Sequence, residues 1–207
     1  MGSTTLLDII GSMLIGGLLL VVALRMNDQA TKTTFDSQEQ LTVQQNLTFL
    51  VEAVGSDFRK IGYNANPIVP FNQGQYIRFA DSNRITFLAD LNRDGQFDTV
   101  SWRLGPVVNP VSGSRELDRT VTPAGGAPST IRYLNVGVTR FFLQYFDNIN
   151  PDSALDDTTQ PISAGNTIQM IELTIAVVPT AAYDTNYSSN ISVWRQRRLM
   201  SMNLRGR

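Results

Sequence analysis

The stretch LADLNRDGQFD at residues 88–98 gathers the side chains best suited to hold a hard cation. Asp90, Asn92 and Asp94 alternate, Gly95 follows where a sharp reversal needs it, and Asp98 arrives four residues after Asp94. Oxygen donors on a loop that curls around one point are what calcium takes, with the Gln96 carbonyl as a further ligand. The pattern tracks a helix-flanked calcium loop and then departs from it: the twelfth position counted from Asp90 is Ser101 rather than a glutamate, and the flanks read as strands. A plain turn accounts for the same residues, because Asp and Asn favour reversals through bonds to nearby backbone, and RDG suits a hairpin. Ca2+ is therefore a candidate cofactor that would rigidify a hairpin, and the unliganded turn stands beside it as the alternative.

Other chemistry is short of reagents. The 207 residues include no histidine and no cysteine. That removes the commonest general base, the commonest zinc ligand and the usual partner of a nucleophilic serine. It also removes disulfides and thiol catalysis. Hydrolysis by carboxylates alone would need two acids facing each other across a cleft. With 17 basic residues against 18 acidic ones the net charge is -1, so there is no electrostatic footprint for nucleic acid. The expectation is a protein that is not an enzyme and does not bind nucleic acid.

The elements that must position the loop begin with a helix. From Ile9 to Leu24 nothing is charged, and with Leu6 and Leu7 ahead of Asp8 the stretch approaches the ~20 residues that cross a bilayer core. Basic residues are missing before it and no small-x-small site follows, which argues against a cleaved secretory signal. It is apolar all round, which argues against the striped helix of a soluble domain. Arg25 and Lys32 follow the span, a bias that taken alone would keep that side cytoplasmic. Val43, Leu47, Leu50, Val54, Phe58 and Ile61 then recur every three or four residues, opposite Gln44, Gln45, Thr48, Glu52 and Arg59. Gly62 reads as a left-handed stop, with Arg59 and Lys60 complementing the helix dipole. The Thr, Asn and Asp residues of MNDQATKTTFDSQEQ make a loosened stretch between the two halves an option.

Beyond Gly62 the period changes to two. Ile77 and Phe79, Ile85 and Phe87, and Val100, Trp102 and Leu104 mark strands, as do residues 140–146, the run Ile171, Leu173, Ile175 and Val177, and a last strand in SVWRQRRLMSMNL. Turns at 81–83 and 90–95 imply hairpins and a mainly antiparallel sheet. GPVVNPVSGS, TPAGGAPST and DNINPDSALDDTTQP read as surface loops. Trp102 and Trp194 read as core or edge packing, and Arg195, Arg197 and Arg198 as a solvated edge or a basic patch toward a neighbour. The fold class is α+β: a long N-terminal helix, membrane-spanning in its first half, packed by its second half on an antiparallel β-sheet.

In this order the segments resemble type IV pilin-like proteins, most nearly minor pilins or pseudopilins of the PilW or GspJ type. The matching residues are S-TTLLD at the start, DFRKIGYN at the helix end, RITFLADLNRDGQFDTVSWRL as a hairpin, RELDR, LNVGVTRFFLQYFD and IQMIELTIAVV. The resemblance implies a short leader at residues 1–3, cut between Ser3 and Thr4, with a cut after Gly2, which would put Asp8 sixth, as the alternative. A membrane and filament-core helix would follow at 4–25, an amphipathic continuation at 26–62 and a globular β domain at 63–207. It places Asp8 at the mature fifth position, where the family usually has Glu, and puts Ser3 where the family usually has Gly. It also implies an inner-membrane protein with an extracytoplasmic C-terminal domain that joins other pilin-like subunits in a periplasmic or cell-surface filament. The residues themselves admit roles in assembly: Asp8 as a carboxylate in an apolar helix, seeking a cation such as a neighbour's α-amino group, and Gly11, Gly16 and Gly17 as points of close helix approach; a first-turn acid favoured by the helix dipole and simple backbone flexibility stand beside them as the alternatives. The competing reading is a single-span anchored binding module that recognises a ligand through loops near 106–129 and 146–161.

Overall fold

A computed structural model describes residues 2–66, 76–147, 154–155, 168–179, 193–200 and 204, with side chains from Thr5 onward. Helix α1 runs unbroken from Gly2 to Arg59, 58 residues and roughly 87 Å at 1.5 Å per residue. The loosened stretch does not occur. Thr31, Thr33, Thr34, Ser37 and Thr42 turn their hydroxyls back onto the carbonyls of Asn27, Gln29, Ala30, Thr33 and Gln38 at 2.8–3.0 Å. Polar groups that could have competed for the backbone are thereby satisfied inside the helix.

The two halves of α1 meet different surroundings. Residues 5–34 are exposed apart from a half-exposed Gly11, and burial sets in fully only at Val43. Val43, Leu47, Leu50, Val51, Val54 and Phe58, with Ile61 just beyond, then enter the core on one stripe. Gly62 ends the run at φ 72°, and its N–H donates to the Leu88 carbonyl at 2.8 Å, tying the helix end to the sheet.

That stripe covers two antiparallel sheets, where the sequence had suggested one. The first is a five-stranded meander of β1 (Ile77–Asp81), β2 (Arg84–Ala89), β3 (Asp98–Asn109), β4 (Ser114–Thr122) and β5 (Ser129–Tyr133). The second holds β6 (Val138–Phe146), β7 (Met170–Val177) and β8 (Val193–Met200). They join where the Leu143 N–H donates to the Ser82 carbonyl at 2.8 Å and the Tyr145 hydroxyl donates to the Asp81 carbonyl at 2.9 Å. Phe58 meets Phe87 edge-on at 5.9 Å between centroids, locking the helix to β2.

Two local readings need correction. Ile77 and Phe79 do not share a face, because the β1–β2 register slips between them; Ile77 and Ala80 are buried, while Phe79 is half-exposed under the Arg84 guanidinium. GPVVNPVSGS is not a loop: it carries the end of β3, a turn at 110–113 and the start of β4, and Pro106 sits where the β3–β4 ladder slips. TPAGGAPST is, as expected, a surface connection, joining β4 to β5. Most of DNINPDSALDDTTQP lies outside the described residues.

Candidate functional site

The loop between β2 and β3 curls as its residue types suggested. Its ends are held by the pair Ala89 and Asp98, and its reversal uses Arg93 at φ 64° and Gly95 at φ 83°. Asp90 is buried at 1 % exposure and accepts the N–H groups of Ala65 and Gly95 on Oδ2, both at 3.0 Å. Asn92 Oδ1 accepts the Asp94 N–H at 3.1 Å, and Asp94 Oδ1 accepts the Gln96 N–H at 2.8 Å. Asp94 Oδ2 takes a bond from the Asn92 amide at 2.8 Å, and Asp98 Oδ2 caps the Leu91 N–H at 2.9 Å. Asp90, Asn92, Asp94, Gln96 and Asp98 thus share one curl whose carboxylates bind its own backbone. Among the described residues no three acidic side chains stand ready as a metal cage.

Burial pushes the Asp90 carboxyl up, but the N–H groups of Ala65, Gly95, Arg93 and Asp94 outweigh it and hold the group below its ordinary 3.8. A carboxyl that titrates lower folded than unfolded adds stability that is fully present above its ordinary value and is lost as pH falls through the folded one. The unfolding temperature should therefore drop as pH falls below 3.8, and Asp90→Asn should flatten that part of the profile. A variant whose acid slope matches the parent's would refute the assignment.

The N-terminal residues lie far from this loop along α1. Gly2 to Thr4, including the cleavage candidates Ser3 and Thr4, are helical in backbone, and their side chains are not described. Asp8 is exposed, and its carbonyl accepts the Ser12 hydroxyl one turn on. Nothing lies within 4 Å of where a Cβ on Gly11, Gly16 or Gly17 would stand. Around them Leu6, Leu7, Ile9, Met13, Leu14, Ile15, Leu18, Leu19 and Leu20 are each more than half exposed. This is the one helix among the described residues long and apolar enough to cross a membrane, with a window of mean hydropathy 2.4 of which none is buried. No family model, curated protein or solved structure matches this chain.

Sequence reasoning missed a buried polar junction. Asp57, on the packed face of α1, accepts the Trp102 indole N–H at 2.9 Å and a two-pronged contact from Arg119 at 2.6 and 3.0 Å. The hydrogen bond to Asp57 holds the Arg119 guanidinium above its ordinary value against the opposing effect of burial. Tyr133 stacks on Trp102 at 5.9 Å and 4°, so residues from β3, β4 and β5 converge on one helical carboxylate. The one legible signal was Asp57 itself, an acid inside an apolar stripe.

On the far sheet Glu172, 4 % exposed, accepts Arg198 at 2.5 Å and is also bonded to Gln196. Arg198 is thus committed within its own sheet, and Arg197 lies alongside Gly55 of α1. Trp102 is a core residue, whereas Trp194 is 63 % exposed on the outer face of β8.

Proposed function

We propose that this protein is a structural subunit of a type IV pilus-like or type II secretion pseudopilus filament, in a minor or initiating position, assembling through its N-terminal helix. One observation carries the reading: a single unbroken helix belongs to the core of its own domain at one end and is a bare apolar rod at the other. A rod with none of its apolar window buried is unstable in water and needs cover, by lipid before assembly and by neighbouring helices after it. The smooth positions at Gly11, Gly16 and Gly17 suit helices that must approach closely. Asp8 would set axial register by pairing with a neighbour's terminal amine, since an ionised carboxylate among apolar helices needs a cation. In this reading the β domain faces outward from the inner membrane.

A second reading, the single-span anchored binding module, draws on the outer face of the β6–β8 sheet. There Trp194 stands beside Arg140, Phe142 and Gln196 along an open groove. Of the loops expected near 106–129 and 146–161, the first is mostly a hairpin with a surface connection at 123–128, and most of the second lies outside the described residues.

Intact mass and N-terminal sequencing of protein from native membranes and from sheared surface material separate the two. A filament subunit is expected in the sheared fraction with a new start at Thr4 or Ser3. An uncut chain confined to the membrane would favour the anchored module.

A further inference from the structure

We propose that the loop from Asp90 to Asp98 binds one calcium ion, and that the ion fastens the β2–β3 hairpin to the turn that ends α1. Two of its carboxylates are almost wholly buried, Asp90 at 1 % and Asp98 at 2 % exposure. On each, one oxygen accepts backbone N–H groups while the other, Oδ1, is buried without a hydrogen-bond partner. The Gly95 N–H reaches across the loop to Asp90 Oδ2, which places that carboxyl inside the curl. Among the described residues neither Asp90 nor Asp98 forms an ion pair with Lys or Arg. An anionic oxygen sealed from water without a donor is costly, and a cation is the partner that satisfies two of them together.

The remaining donors have hard-cation chemistry and lie at alternate positions along the loop. Asp94 and Asn92 are exposed and bonded to each other, so no core packing prevents their turning inward. With the Gln96 carbonyl they bring the protein oxygens to five, and waters would complete the six to eight that calcium takes. The loop rests on the segment leaving α1: Ala65 donates to Asp90 Oδ2, Asp90 donates from its N–H to the Tyr63 carbonyl at 2.8 Å, and Asn64 reaches the Gly95 carbonyl at 3.3 Å. An ion held by Asp90 and Asp98 would therefore stiffen the joint between the long helix and the β domain. This inference rests on the loop alone and stands whether or not the chain assembles into a filament.

The test titrates calcium chloride into the full chain in detergent by calorimetry and compares thermal unfolding in calcium, magnesium and chelator. One site is expected with Kd of ~10⁻⁴–10⁻³ M, as in extracellular modules. At ten times Kd the unfolding temperature should rise by ~3–6 °C. Both effects should vanish in Asp98→Asn and in Asp94→Ala, the latter altering only an exposed side chain and so keeping the fold intact. Absence of calcium heat up to ~10 mM with an unchanged unfolding temperature in chelator would overturn the proposal. Heat undiminished in the folded Asp94→Ala protein would also overturn it, by placing the ion elsewhere.

Discussion

Asp57→Ala is expected to destabilise the folded domain by roughly 3 kcal/mol, the low end for breaking a buried ion pair. The low end applies because the Arg119 side chain keeps 21 % of its exposure while Asp57 keeps 7 %. Removing the carboxylate strands both the Arg119 guanidinium and the Trp102 indole N–H beneath the helix, since both donate to Asp57. Denaturant unfolding followed by tryptophan fluorescence reads the loss, with Trp102 as the buried reporter and exposed Trp194 as the background. The paired replacement Asp57→Leu with Arg119→Met should recover most of it, because removing both charges leaves only the indole donor unsatisfied. An unchanged midpoint in Asp57→Ala would show that the junction does not hold the helix to the sheet.

Gly16→Leu is expected to abolish filament assembly while leaving the β domain's stability and membrane insertion unchanged. Within one chain the substitution meets nothing, since no atom lies within 4 Å of the added Cβ, and leucine is a better helix former than glycine by ~0.8 kcal/mol. Any loss must then come from a neighbouring helix that can no longer approach. Asp8→Asn should lower assembly for a different reason, by removing the charge proposed to pair with a neighbour's amine. Shear fractions quantified against membrane fractions, with thermal unfolding of each variant as a control, give the answer. Normal assembly by Gly16→Leu would move the functional reading to the anchored module.

Local pattern was enough wherever one face of an element is uniformly apolar. The stripe from Val43 to Ile61, the alternation of Ile171 to Val177 and the Gly62 stop each depend on nearby residues, so periodicity alone exposes them. β4 escaped because one of its core-facing positions holds Arg119 beside Leu117 and Val121. Its partner Asp57 is 62 residues away, so no window of sequence could reveal that an arginine there is paired. β5 was hidden likewise: STIRY is short and mostly exposed, and its Tyr133 is drawn in by Trp102.

The candidate loop divides along the same line. Its residue types and the glycine its reversal demands were plain in the sequence, because ligand chemistry and turn geometry are both local. Burial of Asp90 and Asp98, the orphaned oxygen on each and the contact with the helix end came only from packing α1 against β2. The sequence by itself determined that the chain has an apolar helical start, an amphipathic continuation and antiparallel strands, since each follows from the spacing of side chains along one segment. Tertiary structure alone decided that the strands divide into two sheets and that an acid on the helix holds a distant arginine and tryptophan. Those outcomes depend on which surfaces meet across long stretches of chain, and no local spacing encodes that choice.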